Sequence, residues 1–394
     1  MNISKTIFLK GFQNKKLKKN ILKLFKDLII SESQILRSLS KSYTNSYNKN
    51  FVLKYKKFST INLIGMGGSS LGARSIYSFL KDKVKKNFIF FDNIDGENLK
   101  KIENLKKINQ TLFIVISKSG YTIETLLNFF LLKKIKKNSK NIIIISEKND
   151  NPLYVIAKKM NFYHIEHKKY ISGRYSVLSE VGIAPALLMG LNTKKLRSNL
   201  DFHLKDKNKK FLKEGSIKLA NLLLKKKYKN LIYLNYIPEL EKFLYWNQQL
   251  VAESLGKNGR GFLPLISNAP KDHHSLLQLY LDGPKDKLFY IFSSSSIKKN
   301  KINTGNLDKR IKFLNKKTIS EIKIAQKNAL IKSLNKNKIP YREFQINSLN
   351  EENLGELFSF FILETAIIGK LTKVNPFNQP AVEQVKLSTK KLLS

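Results

Sequence analysis

The chain has 394 residues, 42% of them hydrophobic, so it is too long for one average domain and too apolar for a disordered chain. Its 73 Lys and Arg against 29 Asp and Glu give a formal charge of +44, but only seven are Arg and the Lys are scattered, which disfavours nucleic-acid recognition. The absence of Cys excludes disulfides, thiolate metal sites and cysteine nucleophiles.

No segment of the chain is predicted to enter a membrane. Uninterrupted apolar runs of about 18 residues do not occur, and the N-terminus has no apolar region of signal-peptide length. The nearest candidate, residues 357–371, contains Glu364 and Lys370 and is predicted to form a buried helix. We therefore expect a soluble cytoplasmic protein without a membrane or nucleic-acid partner.

The predicted elements begin with an amphipathic helix within residues 15–40, where apolar side chains recur at helical spacing. Short apolar runs separated by helical stretches follow at 61–65, 88–92, 111–117 and 141–146, and again at 231–236, 262–266, 288–292 and 341–346. Unbroken β-branched runs that alternate with helices predict parallel sheets covered on both faces. We therefore predict two α/β domains that meet near residues 195–210, with residues 295–318 as an exposed polar loop.

A glycine-rich stretch, GMGGSSLGAR at residues 65–74, lies between a predicted strand and a predicted helix. Its glycines allow close backbone approach and the next helix points its free N–H groups at the same place, so an anion site is predicted. A dinucleotide fingerprint with Asp92 as the ribose contact is one alternative, although Ser70 occupies its third glycine position. A purely structural tight turn is another.

A second loop, SKSGYTIET at residues 117–125, also joins a strand to a helix. Its hydroxyl groups, Lys118 and the conformational freedom of Gly120 suit the binding of one phosphate. The loop lacks the GK[ST] ending of a nucleotide P-loop, so a phosphomonoester is favoured over ATP. The alternative is a Ser/Thr-rich helix cap with nothing bound.

Two charged residues stand in settings that suit a catalytic site. Arg174 lies in a Ser/Gly loop of a chain that otherwise uses Lys, which indicates a need for a planar multi-donor cation, for a substrate or a structural carboxylate. Glu253 shares a helical face with Trp246 and Gln249, and Gly256 is expected to end that helix in a left-handed cap. The negative helix end disfavours an anion, which suits a general base; a solvated helix-end Glu is the alternative.

Further candidates lie towards the C-terminus. Asp272 is predicted to cap a helix whose first turn contains His273 and His274, where the positive helix end would lower the histidine pKa. Metal binding by this pair is not expected, because neighbouring side chains on a helix diverge. A last helix is predicted to begin just after Gln379, which would place Gln379 and Lys386 on one side, two turns apart.

Taken in order, six motifs of this sequence resemble those of glucose-6-phosphate isomerases: GMGGSSLG, SKSGYTIET, SGRYS, AESLGK, HHSLLQ and NQPAVEQVK, which span residues 65–386. Each motif is weak alone, but six in sequence are specific. The resemblance implies an α/β fold of two sugar-isomerase-type α/β/α sandwich domains with mostly parallel sheets, plus N- and C-terminal helical segments. It also implies a cytoplasmic homodimer without metal or organic cofactor that interconverts glucose 6-phosphate and fructose 6-phosphate through a cis-enediolate.

The resemblance further implies roles for single residues, by motif position. Glu253 matches the base that moves a proton between C1 and C2, and Arg174 matches the cation near the enediolate oxygen. His274, supplied by the partner subunit, and Lys386 match the pair that assists ring opening. The substrate contacts implied are Gly68 and Ser69 in the glycine-rich turn, Ser117, Lys118, Ser119 and Thr122 in the loop that holds the sugar phosphate, and Gln379 and Glu124 elsewhere in the pocket.

The implied division of the chain has four parts. These are an N-terminal helical segment at 1–45, a first domain at 46–200 with the phosphate loop, a second at 201–374 with Glu253 and His274, and a C-terminal segment at 375–394 with Lys386. Two other functions stay open: a bifunctional glucose/mannose 6-phosphate isomerase, and a non-catalytic phosphosugar-binding module.

Some positions depart from the family pattern. Tyr121 stands where many relatives have Thr, and Asn378, Ala381 and Val385 replace the commoner Asp, Gly and Gly. These departures concern the phosphate pocket and the packing of the last helix more than the reaction.

Overall fold

The structure, a computed structural model, describes residues 7–10, 34–48, 50–96, 100, 110–132, 136–205, 208–294, 300–305 and 307–394. The amphipathic helix predicted within 15–40 lies outside the described residues except for its last part, where Gln34–Leu39 form a 3₁₀ helix. The described part of the predicted polar loop at 295–318 is mostly exposed and includes a short 3₁₀ helix, Lys309–Leu314.

The described residues form two groups of strands separated by helices. The strands are β1 (Ile7–Lys10), β2 (Thr60–Gly65), β3 (Asn87–Phe91), β4 (Thr111–Ile116), β5 (Ile142–Ser146), β6 (Tyr163–Glu166), β7 (Asn230–Asn235), β8 (Leu263–Asn268), β9 (Lys287–Ser294) and β10 (Tyr341–Ile346). The α-helices are α1 (Phe51–Tyr55), α2 (Leu71–Phe79), α3 (Ile123–Phe130), α4 (Pro152–Met160), α5 (Glu180–Leu188), α6 (Thr193–Leu196), α7 (Lys209–Leu224), α8 (Glu241–Leu255), α9 (Leu277–Leu281), α10 (Ile319–Lys336), α11 (Glu351–Leu371) and α12 (Pro380–Leu393).

The first sheet has the strand order β3-β2-β4-β5-β6, and all of its neighbouring strands are parallel. Every side chain of β4 and of β5 is buried, because helices cover both faces of the sheet. The unbroken apolar runs therefore marked these strands in the sequence. All eight predicted strands are confirmed to within two residues at each end.

The second sheet repeats the topology of the first. Its order is β1-β10-β9-β7-β8, so in both sheets the first long strand is flanked on one side by the second and on the other by the third. The strand β1 pairs antiparallel with β10, in the position that β6 occupies in the first sheet. Ile7–Lys10, within the segment predicted to be helical, thus form a strand, because the edge of β10 offers hydrogen-bond partners that the local sequence does not reveal.

The main core lies between the two sheets. It combines side chains of β2, β4 and β5 with those of β7, β9 and β10, through the helices α2, α5, α7, α8 and α11 packed between them. Smaller apolar clusters lie on the outer faces, under α3 and α4 on the first sheet and under α9 and α10 on the second. The central layer fixes α8, which carries Glu253, against α2, which follows the glycine-rich turn.

The helix α11 is buried along most of its length, as predicted for residues 357–371. None of the helices in the described part of the chain combines the length and apolar character needed to cross a membrane.

A buried ion pair crosses the interior of the second half. Arg342 of β10 donates to Glu364 of α11 at 2.5 Å, and both side chains are almost completely shielded from solvent. The Tyr290 hydroxyl lies between them, donating to Glu364 at 3.2 Å and accepting from Arg342 at 2.8 Å. Because removal of one partner leaves the other charge buried and unpaired, this pair is expected to be sensitive to mutation.

We expect Arg342→Ala to lower the free energy of unfolding by about 3–5 kcal/mol, because the Glu364 carboxylate loses its countercharge in the core. Denaturant unfolding at neutral pH measures the change. The control is Arg310→Ala, which removes an exposed pair with Asp308 and is expected to leave the stability nearly unchanged. Equal effects of the two substitutions would contradict this interpretation.

Candidate active site

Two loops lie side by side at the carboxyl ends of β2 and β4, where the chain continues towards opposite sides of the first sheet. The glycine turn (residues 65–70) follows β2, and the serine loop (residues 117–122) follows β4, the strand next to β2. Since β2 leads towards β3 on one side and β4 towards β5 on the other, a crevice opens between the two carboxyl ends. This is the usual position of ligand sites in open parallel sheets.

The glycine turn is in close contact with the segment that carries Arg174. A Cβ atom on Gly68 would lie 2.3 Å from the carbonyl carbon of Gly173, so only glycine fits there. Gly67 adopts a left-handed φ of +52°, and its Cα faces the amide of Gln249. Ser69 is half-buried and forms part of the 3₁₀ helix Gly67–Ser69.

The contacts of Asp92 argue against the dinucleotide alternative. Its carboxylate accepts a hydrogen bond from Arg74 of α2 at 2.5 Å, so the group proposed to bind a ribose is held by the helix that follows the glycine turn. An Arg–Asp ion pair there explains the acidic residue at the end of β3 without a bound nucleotide.

The serine loop places its hydroxyls around a left-handed glycine. Gly120 has a φ of +70°, and a Cβ there would collide with the Asn151 side chain at 1.8 Å. The buried Ser117 hydroxyl lies 2.9 Å from that of Thr122, whereas the Ser119 side chain is exposed.

Lys118, within the serine loop, is partly buried. Its Nζ donates to the carbonyl of Lys169 at 2.8 Å and lies 3.7 Å from the Glu147 carboxylate. Burial lowers the pKa of Lys118, the Glu147 charge opposes that effect, and the charge of Arg174 adds to it. The charge of Lys118 therefore acts near both the serine loop and Arg174.

Arg174 lies at the centre of the site. It belongs to the 3₁₀ helix Gly173–Leu178 and is 2% exposed, so its charge depends on protein acceptors. Its acceptors are Ser254 Oγ (2.8 Å from Nε), Glu253 Oε2 (3.0 Å) and Gln379 Oε1 (2.9 Å) from Nη1, and the carbonyls of Pro376 (2.8 Å) and Asn378 (3.0 Å) from Nη2.

Three separate parts of the chain meet through this one guanidinium. They are the Arg174 segment, the end of α8, and the C-terminal segment (residues 375–379). The Tyr175 hydroxyl supports the same junction, since it lies 3.0 Å from Ser254 Oγ and donates to the Pro376 carbonyl at 3.2 Å. Burial raises the pKa of Tyr175 to about 12, so this donor stays protonated.

Glu253 occupies the last turn of α8, as predicted, and both of its carboxylate oxygens are held. Oε2 accepts from Arg174, and Oε1 accepts from Gln249 Nε2 at 3.0 Å. The side chain is nevertheless 30% exposed, so a ligand in the crevice has access to it. Trp246, on the same helical face, donates to the Arg174 carbonyl at 3.2 Å, which confirms that this face is turned towards the site.

Gln249 was not among the residues predicted to contact substrate, although its shared face with Glu253 was visible in the sequence. Its position one turn before Glu253, and its contact with Gly67, place it between the glycine turn and the carboxylate. The spacing of four residues on a helix was the signal that could have identified it.

The end of α8 differs from its prediction in one respect. Gly256 has a φ of −76°, so it does not form a left-handed cap. A Cβ there would lie 2.6 Å from the Ala252 carbonyl, which means that close packing rather than backbone handedness requires the glycine. The residues with left-handed φ angles lie two and three positions further on, at Asn258 and Gly259.

His274 and Lys386 are not brought into contact with Glu253 within the described chain. His274 is exposed and lies in the 3₁₀ helix Lys271–His274, beyond the carboxyl end of β8. Lys386 is 58% exposed and pairs with Glu383 on its own helix, at 2.8 Å. Gln379, in contrast, is joined directly to Arg174.

The direction of α8 explains the separation from His274. Gln248 Nε2 donates to the Pro264 carbonyl at 2.7 Å, and α8 must run antiparallel to the parallel strands β7 and β8 that it connects. From the contact between Gln248 and Pro264, Glu253 lies further along α8 in one direction and the end of β8 lies in the opposite direction. With rises of ~1.5 Å per helix residue and ~3.3 Å per strand residue, the two are about 20 Å apart along the strands.

The environment of the histidines at residues 273–274 also departs from prediction. Asp272 does not cap a helix; its carboxylate accepts from the Asn268 N–H at 2.8 Å and from the Ser267 hydroxyl at 3.0 Å. The pKa of His273 is lowered, but mainly by burial and not by a helix end. Its Nε2 lies 2.9 Å from the Tyr236 hydroxyl.

Comparison with known proteins agrees with the motifs. A sequence profile of the family described as "Phosphoglucose isomerase" matches residues 32–261, more than half of the chain. The probable glucose-6-phosphate isomerase of Methanococcus maripaludis is 35% identical over 367 residues, which cover 88% of this chain and 80% of that protein. The glucose-6-phosphate isomerase of Methanocaldococcus jannaschii is 33% identical, with 84% of each chain covered.

The chain belongs to the phosphoglucose isomerase family. Solved structures agree at the level of the fold. A hypothetical protein of Thermus thermophilus superposes with a TM-score of 0.83 at 23% identity, over 95% of both chains. A glucose-6-phosphate isomerase of Chlamydia trachomatis superposes with a TM-score of 0.73 at 19% identity, over 97% of this chain and 76% of that one.

We expect Gly68→Ala to destabilise this family member by about 1–3 kcal/mol, because the added methyl group overlaps backbone atoms that cannot move independently. Thermal or denaturant unfolding measures the loss. Gly173→Ala is the matched control, since its Cβ meets nothing within 4 Å, and it should change stability by less than about 0.5 kcal/mol. A Gly68→Ala protein as stable as the control would show that the turn can relax.

Proposed function

We propose that this protein interconverts glucose 6-phosphate and fructose 6-phosphate by moving a proton between C1 and C2 of the ring-opened sugar. The observation that carries the proposal is the Glu253 carboxylate, which is oriented by two donors yet accessible at the crevice between the glycine turn and the serine loop. The curated relatives named glucose-6-phosphate isomerase, which cover most of the chain, support the substrate and the reaction.

Glu253 is the proposed base. A carboxylate has about four lone-pair sites, and two of those on Glu253 are used by Arg174 and Gln249. The remaining sites can take a proton from one carbon and return it to the next, as an aldose–ketose isomerisation requires. The two fixed hydrogen bonds hold the carboxylate in one orientation, which reduces the reorganisation needed for each transfer.

Arg174 is proposed to stabilise the enediolate by its charge. A guanidinium has five N–H donors, and each of them already has an acceptor within the protein. We therefore assign Arg174 a positive charge at a fixed position and not a new hydrogen bond to the intermediate. Because Arg174 is almost fully shielded from water, its fixed charge acts strongly on negative charge that develops nearby.

The serine loop is proposed to hold the phosphate, and the glycine turn is proposed to contact the rest of the substrate. Ser117, Ser119 and Thr122 offer hydroxyl groups, Lys118 offers charge, and Gly68 and Ser69 offer backbone close to Arg174 and Gln249. Binding of a dianion away from the reacting carbons supplies orientation that the small reacting centre cannot provide.

His274 and Lys386 are proposed to assist ring opening, with His274 acting in the active site of a second copy of the chain. Its exposure and its distance from Glu253 along β8 agree with a role outside its own subunit. The homodimer and this exchange of histidines follow from the family resemblance. The four-part division of the chain likewise remains a proposal.

We expect Glu253→Gln to lower kcat by about 10²- to 10⁴-fold, because an amide cannot act as the base. Its oxygen can still accept from Arg174, and its NH2 group can donate to the Gln249 side chain once that amide flips. A coupled assay of both hexose phosphates measures the rate, and calorimetry measures sugar-phosphate binding, which should persist. Glu241→Gln, at the opposite end of α8, is the matched control and should retain activity.

The outcome that contradicts this role is a Glu253→Gln protein with unchanged turnover. If the unmodified protein binds the sugar phosphates and does not interconvert them, a phosphosugar-binding module is the better description.

A mixing experiment tests the proposed exchange of His274. Glu253→Gln and His274→Ala proteins, each expected to be nearly inactive, are combined in equal amounts, dissociated and reassembled. Half of the dimers are then mixed, and each contains one site with neither substitution, so activity should recover to about a quarter of wild type. Recovery is expected only if the histidine acts in the partner.

The control is the same procedure with two batches of His274→Ala protein, in which every site lacks the histidine. If the mixed sample stays as inactive as this control although mixed dimers are detected by mass, His274 acts within its own subunit or not at all.

A further inference from the structure

Lys257 lies just beyond the last turn of α8 and has no role in the reaction described above. Its Nζ donates to two backbone carbonyls, that of Ser254 at 3.1 Å and that of Asn375 at 2.6 Å. Ser254 belongs to α8, and Asn375 begins the C-terminal segment. One ammonium group therefore joins the same two parts of the chain that Arg174 joins.

The C-terminal segment depends on a small number of contacts for its position. It supplies three of the acceptors of Arg174, from Pro376, Asn378 and Gln379. The following helix, α12, buries none of its side chains, so it gives the segment little support. The Phe377 ring packs edge-on against Tyr175, with ring centroids 5.3 Å apart. The bonds to Arg174 and Lys257 therefore fix this segment together with the packing of Pro376 against Gly369 of α11.

The loop after α8 is shaped to direct basic side chains at the C-terminal stretch. Asn258, Gly259 and Gly261 all have positive φ angles, which turns the chain sharply within a few residues. Arg260, in the same loop, donates to the Thr372 carbonyl at 2.6 Å. Lys257 and Arg260 therefore hold carbonyls three residues apart, at the end of α11 and the start of the C-terminal segment.

We propose that Lys257 is a positioning residue of the isomerase, whose ammonium group holds the C-terminal segment against the end of α8 and so aligns Arg174 and Gln379 with the Glu253 carboxylate. This inference rests on the proposed function. Lys257 does not touch the reacting atoms; it acts through the backbone of Asn375 and Ser254. Ammonium-to-carbonyl bonds are charge-assisted, so the alignment is stronger when Lys257 is protonated.

The protonation of Lys257 changes within an accessible pH range. Burial, together with the charge of Arg174, lowers its pKa to about 8, and the Glu253 carboxylate opposes both effects. These two are the charged groups that act on it among the residues that the structure describes, since the C-terminal segment (NPFNQ) contains no charged side chain. As the pH rises through about 8, Lys257 loses its proton and the two bonds weaken.

The experiment compares Lys257→Gln, Lys257→Arg and the control Lys370→Gln, which removes an exposed lysine at the end of α11. We expect Lys257→Gln to lower kcat at least about threefold and up to about a hundredfold, the cost of an ångström-scale misalignment, with KM changed less than about twofold. The KM should be retained because the serine loop, which holds the phosphate, is a separate part of the site. Lys257→Arg should retain most of the rate, and the control all of it.

The pH profile separates positioning from simple structural support. In the wild type, log kcat should fall as the pH rises through about 8. In Lys257→Arg the fall near pH 8 should disappear, because a guanidinium remains charged throughout.

Three results would overturn the role. These are an unchanged kcat in Lys257→Gln, a loss that appears in KM alone, and a fall near pH 8 that persists in Lys257→Arg. If Lys257→Gln does not fold, the pH profiles of kcat for wild type and Lys257→Arg still test the positioning role. A wild-type protein without isomerase activity is a different failure, because it overturns the proposed function itself and the positioning role with it.

Discussion

The arrangement of the site depends on the need to compensate one buried positive charge. Arg174 is almost fully removed from solvent, and a cation in such a place is tolerated only if its donors are satisfied. Its acceptors come from α8 and from the C-terminal segment, which are far apart in sequence. A lysine could not replace it, since the planar fork of five donors is what reaches several acceptors in different directions.

The two halves of the chain contribute differently although their sheets share one topology. The first sheet offers the crevice at its carboxyl edge, where the glycine turn and the serine loop follow neighbouring strands. The second half contributes the end of α8. This helix connects β7 to β8, so it ends near the amino ends of the strands of the second sheet. Glu253 therefore lies beside the loops of the first sheet, while His274 lies at the carboxyl ends of the strands of the second sheet.

The lysine content illustrates how little composition says about single side chains. Most lysines in the described part of the chain are not buried, and nothing in the sequence separates Lys257 from the rest, whereas Lys118 is marked only by its place in the serine loop. Both donate to backbone carbonyls at the site, and burial lowers the pKa of each. Such contacts join residues distant in sequence, so spacing along the chain cannot reveal them.

The sequence alone determined the alternation of strands and helices, because side chains buried on both faces must be apolar, and it located the loops that approach a ligand through their glycines. It missed β6, whose four residues include two polar ones, and β1, which exists by pairing with β10. It also identified Glu253 and Arg174 as candidates without showing that they touch. Only the tertiary structure joined them, placed Gln249 between Glu253 and Gly67, and separated His274 from both, because these relations depend on how α8 packs between the two sheets and not on local propensity.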